Sequence, residues 1–403
     1  MKKLLLTLLF SVSIISPVFA QAEQEATTST FEVKFYGDLS MDMFYSYGSN
    51  GSFERNSNIL SWNNEQHSLA SENFFGSSYF GVHINYDKIS LYAELGVNDP
   101  FRQYFLTYNF GDQYNQTFSF GRATTLAHYE MGQVSHNYAG LNNYGTLSDD
   151  VRRLQFRYGL NYRSHQFQLA LIMPYLGDGY TKGNDFGYNY RNAQDAFLGM
   201  AYIPRMEFAY KVRALRDLDI KTYGGYGAFF YTKEDDKLLA DADIVHTASL
   251  GVGGQYRFLN RGFLDFTAWG GLNLYLINAI DNEKLNPVYG YMSDNYLGSF
   301  FQNDFGHSDI ISFGAAIAAG YEFKDFEGIL SYIPQIGVGY MGSYSDVFKE
   351  IDHAAAAYAN VTFRINNYFD IIPEVVFMYD FTDAAGNNEG YSITAGVNAR
   401  FHF

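Results

Sequence analysis

The side chains with the clearest capacity for chemistry in this chain are guanidinium groups that bracket a long polar segment. Arg122 stands before residues 125–150, Arg153 and Arg157 stand after them, and Glu130, Asp149 and Asp150 lie within. Arginines opposed to carboxylates across water set up a transverse field, which orients polar solutes and discriminates ions by sign. With the segment folded inward, Glu130 would lie across from Arg122, Arg153 and Arg157, and the four would form a constriction. The plainer alternative is an ordinary wet wall under a capping loop.

Covalent and metal chemistry find less support. His128 and His136 share the segment with Glu130 and Ser135, but no His-Glu-x-x-His helix or Gly-x-Ser-x-Gly elbow accompanies them. A Ser/His combination without a positioned third group supports no nucleophilic mechanism. The chain has no cysteine, so no disulfide framework staples it. Its densest acidic cluster is Glu234, Asp235, Asp236, Asp241 and Asp243. Such a cluster offers oxygen ligands to Ca²⁺ or to a divalent bridge to lipopolysaccharide, yet its spacing matches no calcium loop and reads as a solvated loop. No catalytic residue, cofactor or metal ligand is expected.

Long alternating strands must position the arginines. From Phe31 the odd positions run Val33, Phe35, Gly37, Leu39, Met41, Met43, Tyr45, against Glu32, Lys34, Tyr36, Asp38, Ser40 and Asp42. The period of two returns at Phe80, Val82, Ile84, at Leu91, Ala93, Leu95, at Leu154, Phe156, Tyr158, and from Tyr391 to Phe403. Runs of about nine to seventeen residues exceed the strands of a soluble sandwich and suit a bilayer. In lipid every backbone group must be paired, and only a closed barrel gives a sheet without an edge. The expected fold is therefore all-β, a transmembrane antiparallel β-barrel.

Strands read at 31–48, 74–86, 89–97, 102–110, 116–124, 151–160, 166–173 and 197–214. The rest read at 219–231, 246–258, 263–274, 309–322, 328–342, 354–365, 368–380 and 390–403. That is about sixteen, the even number that both termini on the periplasmic side require. Across Pro204 the even positions keep their apolar character, so 197–214 is taken as one strand with a bulge. Short connections such as 87–88 and 366–367 read as periplasmic turns, and the alternating set, long except at 98–101, as outer loops. A barrel of this width holds water. The residues expected to line it include Lys34, Asp38, Asp42, Glu94, Arg205, Glu207, Lys211, Asp265 and Glu374, of both signs.

Residues 1–20 combine Lys2 and Lys3, an apolar run from Leu4 to Ile15, and Pro17-Val18-Phe19-Ala20, the pattern of a secretory signal peptide. A short polar extension, 21–30, then leads into one barrel domain, 31–403. The chain carries a net charge of −16, two units more negative without Lys2 and Lys3, so its overall field repels nucleic acid. No stretch of about 20 apolar residues follows the signal, which excludes a helical membrane protein. The 36 Tyr and 37 Phe against two Trp favour strands and membrane interfaces.

Gly76-Ser77-Ser78-Tyr79-Phe80-Gly81-Val82, Leu91-Tyr92-Ala93-Glu94-Leu95-Gly96 and Thr107-Tyr108-Asn109-Phe110-Gly111 resemble the second to fourth strands of Gram-negative outer-membrane porins. Phe120-Gly121-Arg122, the long third loop after it and the terminal Phe403 extend the likeness. The resemblance implies a homotrimer of sixteen-stranded barrels in outer-membrane lipid and lipopolysaccharide. Each would be narrowed by its third loop and pass small hydrophilic solutes passively. The chain departs from the family at Ser77-Ser78-Tyr79, where porins often carry Ser-Ser-Arg, in lacking a Pro-Glu-Phe-Gly-Gly-like third loop, and in its short second loop.

The alternative is a substrate-specific channel for sugars, phosphates or carboxylates. Tyr92, Trp269 and Tyr358 form no contiguous stacking track by sequence, and basic residues interleave with acids, which favours general diffusion. An outer-membrane hydrolase would need fewer strands and a strand-borne His/Ser pair. A gated transporter would need a long N-terminal plug.

Overall fold

The computed structural model describes residues 31–49, 60–62, 65–70, 78–96, 101–111, 115–129, 131, 147, 152–173, 204–231, 243–274, 309–324, 330–345, 350–366, 368–382 and 390–403. The signal peptide and the extension 21–30 lie outside them, as do most of the acidic cluster, His136 and Ser135. The strands are β1 (Phe31–Ser49), β2 (Leu60–Trp62), β3 (Glu65–Ala70), β4 (Tyr79–Tyr86), β5 (Ile89–Gly96), β6 (Gln103–Phe110), β7 (Asn115–Thr124), β8 (Arg152–Tyr162), β9 (His165–Ile172) and β10 (Arg205–Leu215). They continue as β11 (Leu218–Tyr231), β12 (Asp243–Phe258), β13 (Gly262–Leu272), β14 (Ile311–Tyr321), β15 (Phe323–Lys324), β16 (Leu330–Tyr344), β17 (Asp352–Ile365), β18 (Phe369–Thr382) and β19 (Gly390–His402).

β2 and β3 form a hairpin, and β15 prolongs β14 by two residues. The other sixteen strands form one closed antiparallel ring, in which β1 pairs with both β4 and β19. Closure follows from the register Asp38↔His402 to Gly48↔Ser392. Beyond it, Gly37 and Phe403 exchange backbone bonds, the Gly37 N–H donating to the Phe403 carbonyl at 2.9 Å and the Phe403 N–H to the Gly37 carbonyl at 3.2 Å. The Phe403 ring covers Gly37, where a Cβ would stand 2.4 Å from it, and stacks on Phe80 at 6.2 Å.

The alternation read from the sequence sorts the two faces. Phe31 and Phe35 are 62% and 65% exposed on the outside of β1. At the short-turn end the outward aromatics pair as Phe31–Tyr86, Tyr108–Phe110, Tyr256–Phe258 and Phe323–Tyr332. At the other end Tyr47–Tyr391, Phe377–Tyr391 and His353–Phe381 do the same. Two aromatic belts around an apolar band are what a bilayer selects, since amphipathic rings settle at the headgroup level. The short turns turn through left-handed residues, with Asp87 at φ 50° and Arg163 at φ 54°, and the twist of such turns matches that of the strands.

Three readings change. The second barrel strand, expected from 74, is β4 from Tyr79, while the upper part of β1 pairs with β3. β1 outlasts the apolar band there, so the polar β3 carries no alternation to announce it. The described part of the strand expected at 197–214 begins at Arg205, directly after Pro204, as suits a residue without an N–H to donate to the ladder. The inner face, expected to be polar and wet throughout, is largely closed to water on β13 to β18, where apolar side chains stand among buried polar ones such as Asp265, Gln335 and Asn360. Trp269, Ala316, Ala318, Ala356, Val376 and Met378 are buried there in one cluster with Leu126, Met131 and Leu147 of the third loop. Burying the Val, Leu and Met side chains among them stabilises by about 1.5–3 kcal/mol each, so this part of the barrel interior is a protein core.

Gly37→Ala places a methyl group into the Phe403 ring and against the Tyr79 carbonyl. The expected outcome is a loss of about 1–3 kcal/mol, measured as a lower urea midpoint for unfolding of the detergent-solubilised barrel. An unchanged midpoint would show that Phe403 does not hold the seam.

Candidate functional site

The third loop leaves β7 at Thr124 and meets the inner wall of strands further round the ring. Glu207, inward on β10 and 1% exposed, accepts the backbone N–H of Leu126 at 2.5 Å and of Ala127 at 3.1 Å on one carboxylate oxygen. Its other oxygen is paired with Arg205. Lys221 on β11 donates to the His128 carbonyl at 2.7 Å. On the opposite flank Arg157 of β8 donates to the Thr124 carbonyl at 2.6 Å, and Gln155 to that of Ala123 at 2.6 Å. The Tyr129 ring lies over Gly253 of β12, where a Cβ would be 2.3 Å away. The charge-assisted bonds of Glu207, Lys221 and Arg157 are about twice as strong as neutral ones, and those of Glu207 and Lys221 fasten backbone groups of Leu126, Ala127 and His128 beyond the end of β7.

Burial holds the His128 ring far below the usual imidazole value, at about 3, and the positive charges of Lys221 and Arg157 add to the effect. The ring is thus neutral at physiological pH.

The expected site residues divide. Arg153 pairs in register with Ala123 and Arg157 with Ser119 on the inner face. Arg122 does not join them. Its register partners are Tyr104 and Leu154, both on the exposed outer face. Its guanidinium donates to the carbonyls of Phe101 at 2.6 Å and Arg152 at 3.4 Å, beside the rim. Phe118 and Phe120 share its even parity and point outward, the signal that places it correctly. Glu130, Asp149 and Asp150 lie outside the described residues.

Of the lining residues, Lys34 meets Glu32 at 2.9 Å at the short-turn end, and Lys211 meets Asp219 at 3.7 Å. Asp38 faces His402 at 3.1 Å. Asp42 is opposite Asn398 in the register. Asp265 is fully buried on the inner face of β13, and Glu374 on β18 accepts from Asn360 at 2.9 Å. Glu94 is buried and holds Arg102 at 3.4 Å. Among the described residues no group of three or more His, Asp or Glu could hold a metal ion. Alternation puts Arg205 and Glu207 on the inner face, but nothing local in the sequence marks Glu207 and Lys221 as the residues that seat the loop.

No protein-family model matches the sequence, and no curated protein matches it. Solved structures do match in fold. The outer membrane channel DcaP of Acinetobacter baumannii is 15% identical, with TM-score 0.61 over 94% of this chain and 99% of its own. The anion-selective porin from Comamonas acidovorans is 11% identical, with TM-score 0.53 over 93% and 100%. In-vitro folded OmpT, an outer membrane protein of Vibrio cholerae in a trimer form, is 15% identical, with TM-score 0.52 over 93% and 100%. The chain has the fold of the outer-membrane porins.

Glu207→Ala removes the hydrogen-bond acceptor of the Leu126 and Ala127 amides and leaves Arg205 without its carboxylate. Protection of the Leu126 and Ala127 amides in hydrogen exchange should then fall by about tenfold to a hundredfold. Unchanged protection would show that the loop is seated by other contacts. A depressed His128 value means that the seated loop favours the neutral ring. That contribution is complete above 6.5 and is lost as pH falls from 6.5 toward 3. Protection factors at Leu126 and Ala127 should decline between pH 6.5 and 5, and His128→Asn should flatten that decline.

Proposed function

From a closed barrel of the outer-membrane porin fold, we propose that this protein is a channel in the outer membrane of a Gram-negative bacterium, through which small hydrophilic solutes and ions diffuse. The observation that carries the reading is the seating of residues 125–129 on the inner wall of β10 to β12 by Glu207, Lys221 and Tyr129. A loop held there narrows the lumen from one side and leaves the other open. The inward His83, Tyr92, Gln103 and Arg153 of β4, β5, β6 and β8 keep partial exposure, whereas the inner faces of β13 to β18 are largely buried. Solutes would therefore pass along the wall of the first strands.

That path has a charged flank. Arg153 and Arg157 on β8 stand almost opposite β18 in the ring, and β18 carries Glu374. Opposed charges of this kind give a transverse field that sorts ions, and Glu130 would add to its acidic side. A homotrimer surrounded by lipopolysaccharide completes the proposal, supported by the trimeric form of the Vibrio cholerae relative.

In planar bilayers the purified protein should give stable stepwise conductance at low voltage. A protein that inserts and never conducts would sink the channel. Reversal potentials in a KCl gradient should shift toward cation selectivity when Arg153 and Arg157 are both replaced by Gln. An equal shift on replacing Arg122, which faces outward, would overturn the assignment of the field to Arg153 and Arg157.

A further inference from the structure

Four aromatic rings of the inner wall meet across four neighbouring strands. Tyr79 of β4, Tyr36 of β1, Tyr92 of β5 and Phe105 of β6 follow one another, with centroids 6.2, 5.5 and 4.8 Å apart. His83 stands edge-on to Tyr92 at 6.0 Å. Register places them on the wet face, since Tyr92 is opposite Phe105 and Tyr36 opposite Gly81. Gly81 makes the arrangement possible. A Cβ there would lie 2.1 Å from the Tyr36 ring, so the ring lies flat against the wall only because position 81 has no side chain.

These rings differ from three buried inward aromatics. Tyr223, Trp269 and Tyr358 are buried, while Tyr36, Tyr79, Tyr92 and Phe105 keep partial exposure. Apolar ring faces left open to water are unfavourable, and contiguous ones mark surfaces that receive a ligand.

A polar frame borders the cluster. One oxygen of Glu94 accepts the Tyr92 hydroxyl at 2.7 Å and the Tyr36 hydroxyl at 3.4 Å. The other faces Arg102 at 3.4 Å, and the Arg102 guanidinium lies 4.4 Å from the Tyr79 ring centroid. The carboxylate and the guanidinium neutralise each other, so the surface does not select by net charge. A cationic solute would find the Tyr79 face already taken by Arg102. What remains is flat apolar faces edged by hydroxyl, carboxylate and guanidinium groups, the combination that sites for small ligands use.

We propose that this inner-wall cluster binds the rings of neutral carbohydrates, packing their apolar faces against the partly exposed Tyr36, Tyr92 and Phe105 and engaging their hydroxyl groups at Arg102, while the buried Glu94 holds Tyr36, Tyr92 and Arg102 in place. The site rests on the lumen being the solute path, and it turns a passive pore into one with a preference. The sugar would approach along the open wall of β1 and β4 to β6, away from the seated loop.

Maltotriose is the probe. Titrated into the purified barrel in detergent and followed by saturation-transfer NMR, it should bind saturably with a half-saturation in the millimolar range. Tyr92→Ala and Phe105→Ala should each raise that value by about tenfold, and Phe105→Tyr, which keeps a ring, should stay within about twofold. In planar bilayers the same sugar should lower the ion current saturably, and a polyethylene glycol of equal mass, which has no ring face, should not. Binding that is unsaturable, or unchanged in both alanine variants, overturns the site. A barrel that conducts and ignores maltotriose refutes the sugar site and leaves the channel standing. One that binds maltotriose and never conducts does the reverse.

Discussion

Backbone N–H and C=O groups in hydrocarbon have no water to turn to, and each one left unpaired costs several kcal/mol. Every feature of this molecule depends on meeting that requirement with a sheet that has no edge. The seam between β1 and β19 is where it is met last in the chain. Gly37 and Phe403 extend the ladder past the final strand residue, and the Phe403 ring packs over Gly37 on to Phe80. On the inner side His402 reaches Asp38 at 3.1 Å and Asp370 at 3.5 Å, so the closing strand is tied to both neighbours by side chains as well as by backbone.

A closed ring fixes the inner wall, and the inner wall then decides what the third loop can do. Buried carboxylates are costly unless their lone pairs are used. Glu207 meets that condition with two loop amides and Arg205. The same bonds that satisfy Glu207 therefore pull residues 125–129 inside, and the apolar cluster around Leu126, Met131 and Leu147 makes the arrangement stable. The interior is divided as a result: a packed side on the later strands, and an open side on β4 to β8. The aromatic cluster around Tyr92 and the arginines of β8 both stand on the open side, where a diffusing solute would meet them.

Much of the fold is legible in the sequence because membrane strands repeat a two-residue code over their whole length. The strand ends agree with the structure to within a few residues from β5 to β9 and from β11 to β19, and the inner or outer face of Glu207, Asp265 and Glu374 follows from parity alone. Where the code fails, the cause is local. β3 pairs above the apolar band and needs no apolar face. Arg122 stands next to the third loop in sequence, yet it shares the outward parity of Phe118 and Phe120.

By itself, then, the sequence determined the class of fold, the number of barrel strands and the face on which each strand residue stands, because alternation is a property of neighbours along the chain. Only the tertiary structure decided which inner-face residues meet. Glu207 and Leu126 are far apart in the chain, as are Tyr36 and Tyr92, and no local pattern encodes their contact. It arises from the curvature of a closed wall, which brings four strands' rings into one surface and carries a loop from β7 across to β10.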